Sequence, residues 1–85
     1  MTDKIIVYST VWCPDCRRTK LFLEKHQVAY ENIDIEQEPE AVKTVERINQ
    51  GMRRVPTIVL PDGSILVEPS NLQLAEKLGI QFGNN

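Results

Sequence analysis

The 85-residue chain contains no apolar run approaching the ~20 residues that a membrane-spanning helix needs, so no such helix is expected. Charge of one sign is also missing. Ten Lys and Arg against twelve Asp and Glu leave a net charge of −2, and the Arg53–Arg54 pair falls far short of a polybasic patch. No nucleic-acid or membrane partner is therefore expected. Cysteine is scarce, with Cys13 and Cys16 alone in the chain, which excludes the multi-bridge framework of small secreted proteins. The opening "MTDKIIVYS" carries one lysine and a short apolar run, unlike a secretory signal. A cytoplasmic setting is expected, where ordinary thiols stay reduced. Repeats, linkers and low-complexity segments are absent as well, which leaves a single domain over residues 1–85 and a monomer as the expected state.

What is present is an alternation of strand and helix signals. "KIIVYS" (4–9) is a β-branched apolar run that reads as a buried strand. "DCRRTKLFLEKHQ" follows with helical spacing, placing Cys16, Thr19, Phe22, Leu23 and His26 on one face. "VAYENIDI" (28–35) alternates as a second strand with Val28, Tyr30, Ile33 and Ile35 as its apolar set. "EPEAVKTVERINQ" (38–50) opens with acidic residues around Pro39, as helices do. Val42, Val45, Ile48 and Asn49 form its expected inner stripe, and Gly51 its stop. "TIVL" (57–60) and "ILV" (65–67) are strands joined by the turn "PDGS". A capping box, Ser70 with Gln73, starts a last helix whose expected stripe is Leu72, Ala75 and Leu78, ended by Gly79. The order βαβαββα, with a parallel pair from the opening βαβ and an antiparallel hairpin, predicts an α/β fold. Its mixed four-stranded sheet is flanked by helices on both faces.

The two cysteines stand two residues apart where the first strand passes into the first helix. A structural staple is a poor reading, because a disulfide closing so small a loop stabilises little. Pro14 suits the first helical position, which puts Cys13 at or beside the N-cap. There the free N–H groups and the dipole favour a thiolate, the attacking form of a thiol. Arg17 and Arg18 add to that field and Asp15 opposes it, so a nucleophile of moderated acidity is expected. Cys16, on the apolar face, is expected to be the shielded thiol that resolves a mixed disulfide on a more exposed Cys13. Trp12 would flank the site with apolar surface. A metal site within one chain lacks ligands, since His26 is the single histidine and reads as half-buried on the helix face. A metal or Fe–S module completed across a dimer is the alternative of another class, which bound metal after anaerobic purification would reveal. The acidic run from Glu31 to Glu40 reads as solvated surface and helix start, with a basic partner as its other reading.

"WCPDC" after a strand, "RRVPT" before the third strand and the "DGS…EPSN" segment together resemble the glutaredoxin family of the thioredoxin fold, over Lys4 to about Leu78. Within that family the chain is most similar to mycoredoxins and related bacterial redoxins. The resemblance implies a cis Pro56 lying against Cys13, with the backbone of Val55 pairing with an extended thiol peptide. Read from the residue alone, Pro56 equally well starts the third strand. The resemblance also implies that Ser70 and Asn71 hold a polar group of the ligand and that Arg53 and Arg54 pair with it. The capping box alone accounts for Ser70, and exposed loop arginines are commonly solvated. Glutathione-using members carry a lysine where this chain has Thr10 and an acidic pair where it has Ser70-Asn71. These departures point toward another small thiol such as mycothiol, or toward a thioredoxin-reductase-type donor.

The expectation is thus a thiol–disulfide oxidoreductase with Cys13 as nucleophile and Cys16 as partner. It would hold no bound cofactor and use mycothiol or glutathione as co-substrate. Trp12, Pro14, Arg53, Arg54, Val55, Pro56, Ser70 and Asn71 are the expected thiol-binding residues. Its clients would be protein disulfides or protein–small-thiol mixed disulfides. The alternative within the class is a dithiol redoxin serving ribonucleotide reductase and recharged by thioredoxin reductase.

Overall fold

In a computed structural model, which describes residues 4–81, the run Ile5–Ser9 forms strand β1. Ile5, Val7 and Ser9 are buried on one side and Ile6 and Tyr8 are half-buried on the other. Coverage of both sides explains the unbroken apolar composition. Helix α1 (Pro14–Lys25) buries Cys16, Thr19, Phe22 and Leu23, as its spacing predicts, and His26 at its end lies against the Phe22 ring, centroids 4.5 Å apart. Strand β2 (Tyr30–Asp34) returns parallel to β1. Helix α2 (Pro39–Ile48) starts on its proline, and the chain leaves it through Gly51, whose φ of +93° suits a residue without a Cβ.

Strands β3 (Thr57–Val59) and β4 (Ile65–Val67) form the hairpin. In its turn the Asp62 carboxylate accepts from the Ser64 backbone N–H at 2.9 Å and from its hydroxyl at 2.6 Å. Helix α3 (Asn71–Leu78) carries the complete capping box: Gln73 N–H to Ser70 Oγ at 3.1 Å and Ser70 N–H to Gln73 Oε1 at 2.8 Å. The sheet order is β2-β1-β3-β4, with β1 antiparallel to β3. The larger core lies between one sheet face and helices α1 and α3, built from Ile5, Val7, Ile58, Phe22, Leu23 and Leu74. Ile35, Ala41 and Val45 form a smaller one under α2 on the opposite face. The expected mixed four-stranded sheet with helices on both faces is the observed fold.

Three details differ. In α3 the buried pair is Leu74 and Ala75, whereas Leu72 is 53% exposed. The capping box starts the helix at Asn71, and its docking angle turns Leu72 outward. Along α2 and its C-cap the deepest residues are Ala41, Val45 and Asn49, with Val42 and Ile48 half-buried. The apolar set expected of the second strand divides between the two cores. Val28 and Tyr30 pack against the larger one, Ile33 and Ile35 belong to the smaller, and Val28 and Ile35 lie outside the strand itself.

Candidate active site

The site forms where three stretches meet: the turn from β1 into α1, the segment entering β3, and the segment entering α3. Cys13 is the N-cap of α1 and Pro14 is its first residue. The Cys13 backbone N–H is held by the Thr10 carbonyl at 3.4 Å, and the Cys13 carbonyl accepts the Arg17 N–H at 3.1 Å. Its sulfur accepts the Cys16 backbone N–H at 3.0 Å, one of the donors a helix start leaves free. From the other side the Val55 carbonyl lies 3.9 Å from the same sulfur. The Val55–Pro56 peptide is cis and Pro56 is fully buried. Cys13 and Val55 thus meet, and Pro56 follows Val55 through the cis bond.

Both cysteines are free thiols. Their exposures, 6% for Cys13 and 0% for Cys16, keep the expected order but correct its extent. The Cys13 sulfur is recessed, because capping the helix draws it inward and the Val55 carbonyl roofs it. Burial pushes the Cys16 thiol up to about 12, with the hydrogen bond and charge of Cys13 acting in the same direction. The pair is therefore chemically unequal. The Cys13 sulfur receives a helix-start N–H, and Cys16 is held as a neutral thiol.

The remaining expected residues fall on two flanks. On the α2 side a groove of about 590 Å³ runs beside Trp12, Val55, Arg53 and Val42. Trp12 is 63% exposed and its indole N–H donates to Glu36 at 3.0 Å, which fixes the ring as a wall. Arg53 pairs with Glu46 at 2.8 Å and Arg54 with Glu68 at 3.4 Å. Exposed pairs of this kind contribute about 0.2–1 kcal/mol, so an incoming anion displaces either carboxylate at small cost. On the α3 side a shallower groove holds Asp15, Ser70 and Asn71. There Arg18 donates to Asp15 at 2.8 Å, to the Asn71 side-chain oxygen at 2.6 Å and to the Pro69 carbonyl at 2.9 Å.

Arg18 is the residue that sequence reasoning undervalued. Its i,i+3 pairing with Asp15 is a helical rule legible in the chain, but its reach to Asn71, 53 positions on, is set by the fold. The pairing also changes the reading of Asp15, whose carboxylate is engaged by a guanidinium instead of standing alone beside the sulfur. Glu36, which anchors Trp12, reads in the sequence only as part of an acidic run.

Comparison with known proteins agrees with this geometry. The family model described as glutaredoxin matches residues 5–65. The chain is 38% identical over 78 residues to a Mycobacterium tuberculosis (strain H37Rv) protein that carries a glutaredoxin name, covering 92% of this chain and 93% of that one. It is 34% identical over 76 residues to mycoredoxin 1 of Corynebacterium glutamicum, covering 89% and 94%. A glutaredoxin-like protein of Lactococcus lactis named NrdH is 36% identical over 58 residues, covering 68% and 78%. Among solved structures, a point mutant of the thioredoxin-like protein BC3987 superposes with a TM-score of 0.82 at 29% identity, covering 94% of this chain and all of that one. A glutaredoxin from Archaeoglobus fulgidus gives 0.76 at 26%, covering 91% and 87%.

Proposed function

The chain belongs to the glutaredoxin family, and on that premise we propose that it is a mycoredoxin-like thiol–disulfide oxidoreductase with Cys13 as the attacking sulfur. The observation that carries this reading is the placement of the Cys13 sulfur as the cap of α1, receiving the Cys16 N–H at 3.0 Å beside the cis Val55–Pro56 peptide. The Cys13 thiolate attacks one sulfur of a substrate disulfide. A Cys13–substrate bond forms, the substrate S–S bond breaks, and the departing thiolate takes a proton from water. Attack on the Cys13 sulfur by Cys16, or by a small thiol, then releases the reduced substrate. The backbone at Val55 receives the extended peptide around the substrate sulfur. The Trp12 wall and Arg53 accommodate the rest of the substrate on one flank, and Ser70 and Asn71 meet it on the other.

Thr10 and the Ser70-Asn71 pair favour mycothiol over glutathione as the releasing thiol, in a monomer working in the cytoplasm. A second reading has the same dithiol recharged by a thioredoxin-reductase-type protein and serving ribonucleotide reductase. The likeness to the NrdH redoxin favours it, as does the engagement of Asn71 by Arg18, which occupies a side chain that a small ligand would need. Turnover of a mixed-disulfide substrate and of a protein disulfide, with glutathione, mycothiol and thioredoxin reductase as alternative donors, tests both. Under the first reading a Cys16→Ser variant keeps mixed-disulfide reduction by mycothiol and loses protein-disulfide reduction. Loss of both, with thioredoxin reductase as the one competent donor for the parent, selects the second. No turnover with any donor refutes thiol exchange.

A further inference from the structure

A chain of buried hydrogen bonds runs from the end of α2 to the segment ahead of β3. Asn49, the C-cap of α2, is 8% exposed, and Thr57, the first residue of β3, is 0% exposed. The Asn49 side-chain amide donates to the Val45 carbonyl at 2.9 Å and to Thr57 Oγ1 at 3.2 Å. The Thr57 hydroxyl in turn donates to the Arg54 carbonyl at 2.6 Å. An apolar pair of the same shape would fill this space at comparable stability. What it would not do is grip a carbonyl. The β3 ladder begins at Thr57, so the peptide between Arg54 and Val55 lies ahead of it and takes its orientation from this hydroxyl.

We propose that Thr57 and Asn49 are positioning residues that aim the Val55 backbone at an incoming peptide, and so favour peptide disulfides over small ones. This rests on the pairing at Val55 proposed above. The Arg54–Val55 peptide unit is trans, so its C=O and N–H point in opposite directions within one plane. With the Arg54 carbonyl held toward buried Thr57, the Val55 N–H is turned the other way, on a residue that lines the groove beside Trp12. The Val55 carbonyl lies 3.9 Å from the Cys13 sulfur. An antiparallel hydrogen-bonded pair uses both the N–H and the C=O of one residue. Their directions therefore decide whether an extended peptide docks with its sulfur at Cys13. A small disulfide has no backbone to pair. The Glu68 N–H holds the next carbonyl, that of Pro56, at 2.8 Å, and this anchor stays in place when Thr57 or Asn49 is replaced.

Two probes with the same coloured leaving group separate the roles. One is dithiobis(nitrobenzoate), and the other is an extended peptide whose single cysteine is in disulfide linkage with thionitrobenzoate. With either, a bond forms from Cys13 to the attacked sulfur, the S–S bond of the probe breaks, and thionitrobenzoate leaves with the electron pair. We expect Thr57→Val to raise the half-saturating concentration of the peptide probe about tenfold, and to leave the first release from the small probe within about twofold of the parent. Asn49→Leu should act in the same direction, and Thr57→Ser, which keeps the hydroxyl, should restore the parent values. Equal losses on both probes, or no loss on either, overturn the proposal. So does a serine variant as weak as valine, which assigns the effect to packing. Thr57→Val and Asn49→Leu interrupt the same chain at different links, so the test stands even where one variant fails to fold. A parent whose first release from the small probe is no faster than that of an unstructured cysteine refutes the exchange reading itself, and the proposal with it, a result distinguishable from the others.

Discussion

At the residue scale the two thiols differ by where their sulfurs sit, since only one of them caps a helix. Cys16, raised from 9.0 to about 12 by burial, stays protonated in the folded chain where an unfolded cysteine has already ionised. Below pH 9 the thiol is neutral in both states and the pH dependence vanishes. As pH rises from 9 toward 12 the unfolded state loses its proton first, and native stability falls by about 1.4 kcal/mol per unit. Denaturant midpoints of the reduced protein should therefore drop across that window, and Cys16→Ser should remove this part of the slope. Tyr30, also raised to about 12 by burial and its Glu24 contact, leaves a residual slope of the same sign in both proteins. Sequence spacing placed the Cys13 sulfur at the start of α1 because an N-cap before Pro14 is a local property. It overstated the access to Cys13, because the Val55 carbonyl that covers it arrives from 42 positions away.

Among the elements, α3 shows which signals are legible. Ser70, Gln73 and Gly79 announced its start and stop because caps and left-handed stops are written within a few residues. Leu72 was misplaced because periodicity defines a stripe without saying how the helix is rotated against its neighbours. The same holds for Ala41 against Val42 in α2. Removing the cap oxygen in Ser70→Ala should cost about 1 kcal/mol, equivalent to roughly 4–8 °C in Tm for a domain of this size. Thermal unfolding measures it, and Ser70→Asp should stay close to the parent because aspartate also caps. Arg18, tied to Pro69 and Asn71, couples this helix start to α1, so strain at one is felt beside the dithiol.

For the whole molecule, the unequal cores set where the fold tolerates damage. Leu23 is fully buried between the sheet, α1 and α3, whereas Val45 sits in the smaller cluster under α2. Leu23→Ala should cost about 3 kcal/mol or more, out of a total stability of only about 4–13 kcal/mol for a chain this long. Val45→Ala removes fewer methyl groups and should cost about 2 kcal/mol. Chemical denaturation of both variants checks the order, and equal losses would overturn it. The βαβαββα order and the two-faced sheet were readable in advance because each strand and helix carries its own pattern. The convergence of Cys13, Val55 and Asn71 was not readable from local pattern, since loops meet only once the sheet order is fixed.

The chain has a single tryptophan, and it stands immediately before Cys13 with its indole tethered to Glu36. All indole light emission from this molecule thus originates one residue from the sulfur proposed to attack. Under that proposal the protein carries its own label-free optical gauge, positioned by the fold beside the reacting thiol.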